Sequence, residues 1–201
     1  MADPTPTLAR THPLADPAQL TTLTAGHVEA RPFTAMAVVR AERGGAAARA
    51  AADVLGAELP TRANTWVRTS AGKVVWLGPD EWLVLDETAP PWGLEDALRS
   101  RLAPVGGAAT DVSAQRVVLR LHGPHAQELL RAGTAVDVDP RRFPAGSCAQ
   151  TNLAQAGVVL LALGDGGDEF EVLVRTSFAG YLAAWLADAA LEFRPGPVDQ
   201  D

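Results

Sequence analysis

The chain contains one cysteine, one lysine and one tyrosine among 201 residues, and each scarcity removes a class of chemistry. A single cysteine, Cys148, excludes an internal disulfide and a thiolate-rich metal centre, and agrees with a reducing compartment. A lysine Schiff base would have to use Lys73. That residue follows Ala71-Gly72 at the start of an apolar strand and is predicted at a solvated hairpin end, so this chemistry is set aside. Long apolar runs are missing too: the longest, Ala156 to Leu163, falls far short of the roughly 18 residues of a membrane span. The opening MADPTPTLARTHP has no continuous apolar segment of the secretory kind, and a cytoplasmic protein is expected. Positive charge is also short, 17 basic against 24 acidic residues for a net charge of −7. Such a surface has no general attraction for a phosphate backbone or an anionic leaflet, so neither nucleic acid nor membrane is an expected partner. Finally, no Gly-x-Gly-x-x-Gly, Walker loop, Gly-x-Ser-x-Gly elbow, His-Glu-x-x-His or Cys-x-x-Cys occurs.

What is present describes an ordinary globular chain, 47% hydrophobic and 20% charged. At this length one domain or two small lobes could bury roughly 70% of the unfolded surface. Sixteen arginines against one lysine, with abundant alanine, reflect GC-rich coding. Residues 1–30 carry Pro4, Pro6, Pro13 and Pro17 without a helical or strand period, and read as an extended N-terminal arm. Residues 31–103 read as a first α+β lobe: a strand over Phe33 to Ala41, a helix over Gly45 to Leu55, three strands (Asn64 to Thr69, Lys73 to Leu77, Glu81 to Asp86), and a helix. Leu94, Leu98 and Leu102 line that last helix, and Glu95 and Arg99 are set for an i,i+4 ion pair.

After a Gly-rich link, residues 104–115, the order returns in a second lobe, residues 116–191, with a tail at 192–201. Arg116 to Leu121 is a strand. Pro124 is placed at the first turn of a helix that Gly133 closes. Cys148 to Leu153, Val158 to Leu163 and Glu169 to Val174 are strands. Ser177 is the expected N-cap of a helix whose inward face is Phe178, Tyr181, Leu182, Trp185 and Leu186. Ala71-Gly72 aligns with Ala156-Gly157 at an offset of 85, Asp80-Glu81-Trp82 with Asp168-Glu169-Phe170 at 88, and Leu94, Leu98 and Leu102 with Phe178, Leu182 and Leu186 at 84. The fold class is therefore α+β, two similar βαβββα lobes from a degenerate internal duplication. Trp82 and Phe170 should hold equivalent inward positions, each followed on the same face by a valine, Val84 or Val172.

Chemistry-bearing residues are sparse. His122 and His125 could meet near a helix start, with Cys148 or Asp111 completing a metal site, although nothing in their spacing requires it. Gly164-Asp-Gly-Gly-Asp168 has the composition of a phosphate loop but lies between two strands, where a hairpin explains it. Asp80-Glu81 and Asp168-Glu169 suit turns better than an acid–base pair. Trp66, Trp76 and Trp82 could stack a flat ligand or anchor a partner, with core packing the simpler use.

Five stretches together carry a resemblance: Trp76-Leu-Gly-Pro-Asp-Glu-Trp82, Asp111-Val-Ser-Ala-Gln-Arg116, Leu121-His-Gly-Pro-His125, Arg142-Phe-Pro-Ala-Gly-Ser-Cys-Ala-Gln-Thr151 and Phe170-Glu-Val-Leu-Val-Arg-Thr-Ser-Phe178. From about residue 30 to 190 the chain resembles the gamma subunit of heterotetrameric sarcosine oxidase, a family related in fold to the folate-binding lobes of aminomethyltransferases. The resemblance implies a complex with alpha, beta and delta subunits that oxidises sarcosine to glycine, an oxidoreductase acting on CH–NH donors with oxygen as acceptor. Hydrogen peroxide is formed, and the one-carbon unit passes to tetrahydrofolate or leaves as formaldehyde. It further implies FAD, FMN, NAD and the tetrahydrofolate site on alpha and beta, zinc on delta, and no cofactor, metal or catalytic residue on this chain. Trp76, Gly78, Asp80, Trp82, Asp111, Ser113, Arg116, Gly123, Pro124, Cys148, Gln150, Thr151, Phe170 and Phe178 are then expected to serve the fold or a partner surface. One alternative is a free-standing folate-binding or folate-dependent protein of the same fold, with Asp111 gripping a pterin between the lobes. In that reading Gly146-Ser-Cys-Ala-Gln150 resembles the Lys-Gly-Cys-Tyr-x-Gly-Gln stretch of folate-binding iron–sulfur-repair proteins, without its lysine, tyrosine and second glycine. A second alternative is an autonomous protein-binding module.

Overall fold

A computed structural model describes residues 11–90 and 92–193. The chain order is α1 (Pro17–Leu23), β1 (Val28–Ala30), β2 (Ala35–Arg40), α2 (Ala46–Leu55), β3 (Trp66–Arg68), β4 (Gly72–Gly78), β5 (Glu81–Asp86), α3 (Gly93–Leu102) and β6 (Ala108–Asp111). Then follow β7 (Arg116–His122), α4 (Ala126–Arg131), β8 (Cys148–Leu153), β9 (Ala156–Ala162), β10 (Glu169–Arg175) and α5 (Ala179–Ala189). Every strand pairing is antiparallel, in two five-stranded sheets of order β3-β4-β5-β2-β6 and β1-β7-β10-β9-β8.

Alternation along the strands sorts the side chains into three apolar layers. Ala35, Ala37 and Val39 of β2, with Val74, Trp82 and Val84, pack beneath Leu94, Leu98 and Leu102 of α3 and the alanine face of α2. Val117, Leu119, Leu121, Phe170, Val172 and Val174 form the corresponding layer beneath α4 and α5. The opposite faces of both sheets meet each other: Met36, Val75, Leu83 and Leu85 share a core with Val118, Cys148, Val159, Leu161 and Leu173. The architecture is helices, sheet, sheet, helices. Trp82 and Phe170 are 1% and 0% exposed on the helix-facing sides of their sheets, as the duplication requires. The Glu95–Arg99 pair is present on α3. Hydrogen bonds stitch the sheets along one seam, where the Trp66 indole donates to the Ala162 carbonyl (3.0 Å) and the Gln150 amide to the Leu77 carbonyl (2.8 Å).

Several expectations need correction. The arm is structured within its described part. Asp16 accepts a bond from the Gln19 amide and Pro17 opens α1, a proline-compatible helix start too short to show a period. β1 then joins the sheet of the second lobe, beside β7. Likewise the link contains β6, which completes the first sheet beside β2. Residues 1–10 of the arm and 194–201 of the tail lie outside the described residues. The second lobe runs on to Phe193, in a 3-10 turn begun at Ala190.

The offset between β4 and β9 is 86, because Val74 faces Val84 as Leu160 faces Val172. An offset of 85 would match Val74 of the helix-facing layer to Val159 of the inter-sheet layer, and one residue of slip reverses faces. Ser177 caps nothing: α5 begins at Ala179 after a 3-10 turn over Thr176–Phe178. The buried stripe is Ala179, Leu182 and Leu186, leaving Phe178 (43%) and Tyr181 (42%) exposed. Pro124 precedes α4, which begins at Ala126. Gly133 matters for close approach, since a Cβ there would stand 2.5 Å from the Trp185 ring.

Candidate functional site

The largest departure from expectation is Lys73. It is 4% exposed, inside the inter-sheet layer, and its Nζ donates to Glu171 of the other lobe at 3.2 Å (Oε1) while standing 3.1 Å from Oε2. Oε2 makes no hydrogen bond, so charge alone holds that oxygen. Glu87 closes the cluster at 3.3 Å from Nζ, and Arg31 lies 3.6 Å from Glu87. A lysine after Ala-Gly reads as a hairpin tip in sequence. Here β4 begins at Gly72, so Lys73 already faces the second sheet. Gly72 is required for that approach, because a Cβ would fall 2.1 Å from the Leu85 carbonyl oxygen.

The residues singled out for chemistry are dispersed. His125 stacks on Phe193 (ring centroids 4.4 Å apart) with His27 edge-on at 5.2 Å. His122 faces Glu29 on β1, 3.3 Å from its carboxylate. Among the described residues, no group of three or more His, Cys, Asp or Glu side chains could hold a metal ion. Cys148 is 2% exposed, its Sγ 3.6 Å from the Trp76 carbonyl oxygen, and burial pushes its thiol up to about 12. A buried, protonated thiol is no nucleophile. Asp80 and Glu81 both approach Arg40, at 3.8 and 2.7 Å, and Glu169 pairs with Arg120 at 2.9 Å. These carboxylates serve turns and cross-strand pairs. Gly78 sits at the register shift of the β4–β5 ladder. Gly123 (φ +91°) turns the chain while its amide donates to the Asp168 carbonyl. Thr151 meets Thr134. The tryptophans divide between layers: Trp66 is inter-sheet, while Trp76 and Trp82 face the helices, with the Trp82 indole donating to the Pro60 carbonyl (2.8 Å). They form no common stacking surface.

Arg116 borders two of the concave regions. One is a cleft of about 600 Å³ lined by Met36, Phe33, Trp92, Asp111 and Ser113 among others. In it Ser113 accepts from the Met36 amide (2.9 Å) and donates to the Asp111 carboxylate, so this short sequence motif ties β6 to β2. Phe33 (43%) and Trp92 (60%) are exposed at its rim. The other is an open crevice of about 510 Å³ where Arg116, Arg175, Gln150 and Asn152 project from the inter-sheet face of the second sheet. Burial lowers the Arg116 pKa from its usual value, Arg175 acts in the same direction, and Glu81 opposes them. Arg175 escaped notice in sequence; its alternation with Leu173 on β10 was the available signal. No helix among the described residues is long and apolar enough to cross a membrane.

Comparison with known proteins fits this geometry. The model of the sarcosine oxidase, gamma subunit family matches residues 40–192. A sarcosine oxidase subunit gamma from Corynebacterium sp. (strain U-96) is 35% identical over 167 residues, 83% of this chain and 80% of that protein. In the solved heterotetrameric sarcosine oxidase from Corynebacterium sp. U-96, in complex with pyrrole 2-carboxylate, a chain superposes with a TM-score of 0.83 at 32% identity, covering 94% of this chain and 98% of that one. The glycine cleavage system aminomethyltransferase T from Bartonella henselae shares the fold at 13% identity, with a TM-score of 0.61 over 83% of this chain and 48% of that one. The chain described here belongs to the sarcosine oxidase gamma subunit family.

Proposed function

We propose that this chain is a non-catalytic structural subunit of a heterotetrameric sarcosine oxidase, assembled with alpha, beta and delta subunits. FAD, FMN, NAD, zinc and tetrahydrofolate are then held by the other subunits, and the fourteen signature positions from Trp76 to Phe178 serve this chain's fold or its partner surface. The observation that carries the reading is the dispersal of its reactive groups: Cys148 lies in the inter-sheet core, His125 against Phe193, and Asp111 on Ser113. Among the described residues none of the three is hydrogen-bonded to a histidine or a lysine or belongs to a group that could hold a metal ion, the partners that nucleophilic or acid–base catalysis needs. Similarity to gamma subunits over most of both chains adds support.

Co-expressed with its large partner subunits, the chain should purify with them in fixed stoichiometry. Within that complex His125→Ala, Cys148→Ser and Asp111→Ala should each leave sarcosine-dependent peroxide formation per flavin within about threefold of wild type, less than roughly 0.7 kcal/mol in the barrier. A hundredfold loss at unchanged composition would return chemistry to this chain. The Asp111 cleft keeps the folate reading measurable, because saturable one-to-one calorimetric binding of tetrahydrofolate to this chain below about 10 µM would favour it.

A further inference from the structure

Arg116 and Arg175 stand directly opposite one another on β7 and β10 and project from the same face. Like charges in that position repel, and arginine cannot shed its charge to relieve the repulsion. Neither side chain forms a hydrogen bond or ion pair with another described residue, and Nη1 of Arg116 is buried without a partner. The nearby carboxylates are engaged elsewhere, Glu81 by Arg40 and Asp111 by Ser113. The same row of the sheet continues through Gly157, which leaves the crevice floor open, to Asn152, its partner on β8. Gln150 borders the crevice with its amide nitrogen already given to Leu77. In a chain of net charge −7 this is a place where two guanidinium groups and an amide converge, and among the described residues no carboxylate pairs with either guanidinium.

We propose that the Arg116–Arg175 crevice receives an acidic side chain of a partner subunit. This inference rests on the reading of the chain as a subunit and adds a contact point to it. A carboxylate matches the planar forks of two arginines, satisfies the orphaned Nη1 and cancels the cross-strand repulsion. Its selectivity is electrostatic, so the contact weakens with salt.

The test exploits the scarcity of lysine. Lys73 is the one lysine of the chain and is walled in. Arg175→Lys therefore introduces a solvent-reachable amine while conserving the charge. In the purified four-subunit complex, treatment with a zero-length carbodiimide should join position 175 to an aspartate or glutamate of another subunit, identified by peptide mapping. Arg175→Gln should raise the dissociation constant of this chain about tenfold or more, and release it at lower sodium chloride than wild type. An assembled complex with no cross-link from position 175, and with Arg175→Gln released at the wild-type salt concentration, overturns the inference. So does saturable binding of sodium succinate to the intact complex that Arg175→Gln abolishes, which would assign the crevice to a free carboxylate. Failure of the wild-type chain to co-purify at all overturns the subunit reading together with this one.

Discussion

The two halves of the inter-sheet layer are equivalent in backbone and opposite in chemistry. Strand register matches Lys73 of β4 to Val159 of β9, and Leu83 of β5 to Glu171 of β10. One side of the lobe contact therefore carries a buried ion pair where its counterpart carries valine and leucine. Desolvation offsets most of the Coulomb attraction of such a pair, so its net contribution to stability is small. Its effect lies in discrimination. If the first lobe docked on another first lobe, Lys73 would meet Leu83, and a second lobe on a second would bring Glu171 against Val159. The first arrangement leaves Lys73 with Glu87 alone and the second strands Glu171 in an apolar layer, whereas the native pairing satisfies both. The duplicated scaffold thus keeps its shape in both lobes while a single exchange of residues on each fixes which lobe meets which.

Three measurements would break or sharpen this comparison. The largest effects belong to the helix-facing layers, where the lobes are alike. Trp82→Ala and Phe170→Ala should each cost roughly 3 to 5 kcal/mol in chemical denaturation, with similar values in the two lobes. The ion pair should behave asymmetrically. Glu171→Leu alone leaves Lys73 buried with only the part-exposed Glu87 as counter-charge, at a cost below the roughly 3 to 5 kcal/mol of a fully stranded charge, while Lys73→Met with Glu171→Leu should return to wild-type stability or exceed it by about 1 to 4 kcal/mol. A double variant as unstable as the single would mean that the pair contributes more than specificity. The smallest effect appears only at high pH. The folded state holds the Cys148 proton up to about 12, against 9.0 for an unperturbed thiol. Between those values the unfolded chain has released a proton that the folded chain retains. Its share of stability is complete below pH 9 and falls by about 1.4 kcal/mol per pH unit above it, until the folded thiol ionises. Cys148→Ala should remove that slope in denaturation curves compared between pH 8 and 11.

Strands and helices with a strong apolar period were legible from the residues alone. Leu94, Leu98 and Leu102 on α3, and Trp82 with Val84 on β5, lie where periodicity put them. What escaped depended on partners distant in sequence. β1 has three residues and β6 four, too short to show alternation, and each is a strand because an open sheet edge awaits it. Lys73 looked solvated because its buried counter-charge, Glu171, lies 98 residues away. Phe178 and Tyr181 looked inward because they share helical spacing with Leu182 and Leu186, but the buried stripe is centred on Ala179, Leu182 and Leu186 and leaves both at its edge. The Ser113–Asp111 link was visible as a motif but not as a brace, since the amide it binds belongs to Met36 on another strand.

The exchange of edge strands has a consequence for how this polypeptide is made and how it can be cut. β1 is synthesised first, yet its neighbour β7 begins 86 residues further along, so the N-terminal segment must wait for most of the chain to emerge before it pairs. A truncation at residue 31, the apparent lobe boundary, would strip the second sheet of its outer strand and bare β7 as a sticky edge. A single nick between β6 and β7 would divide the chain into fragments that each lack a complete pair of sheets, because the N-terminal piece carries away the strand that finishes its neighbour. The two lobes are one cooperative object with its first residues stitched into its last fold, and a purification tag or fusion partner is better placed where it leaves Val28–Ala30 free to reach Leu119–Leu121.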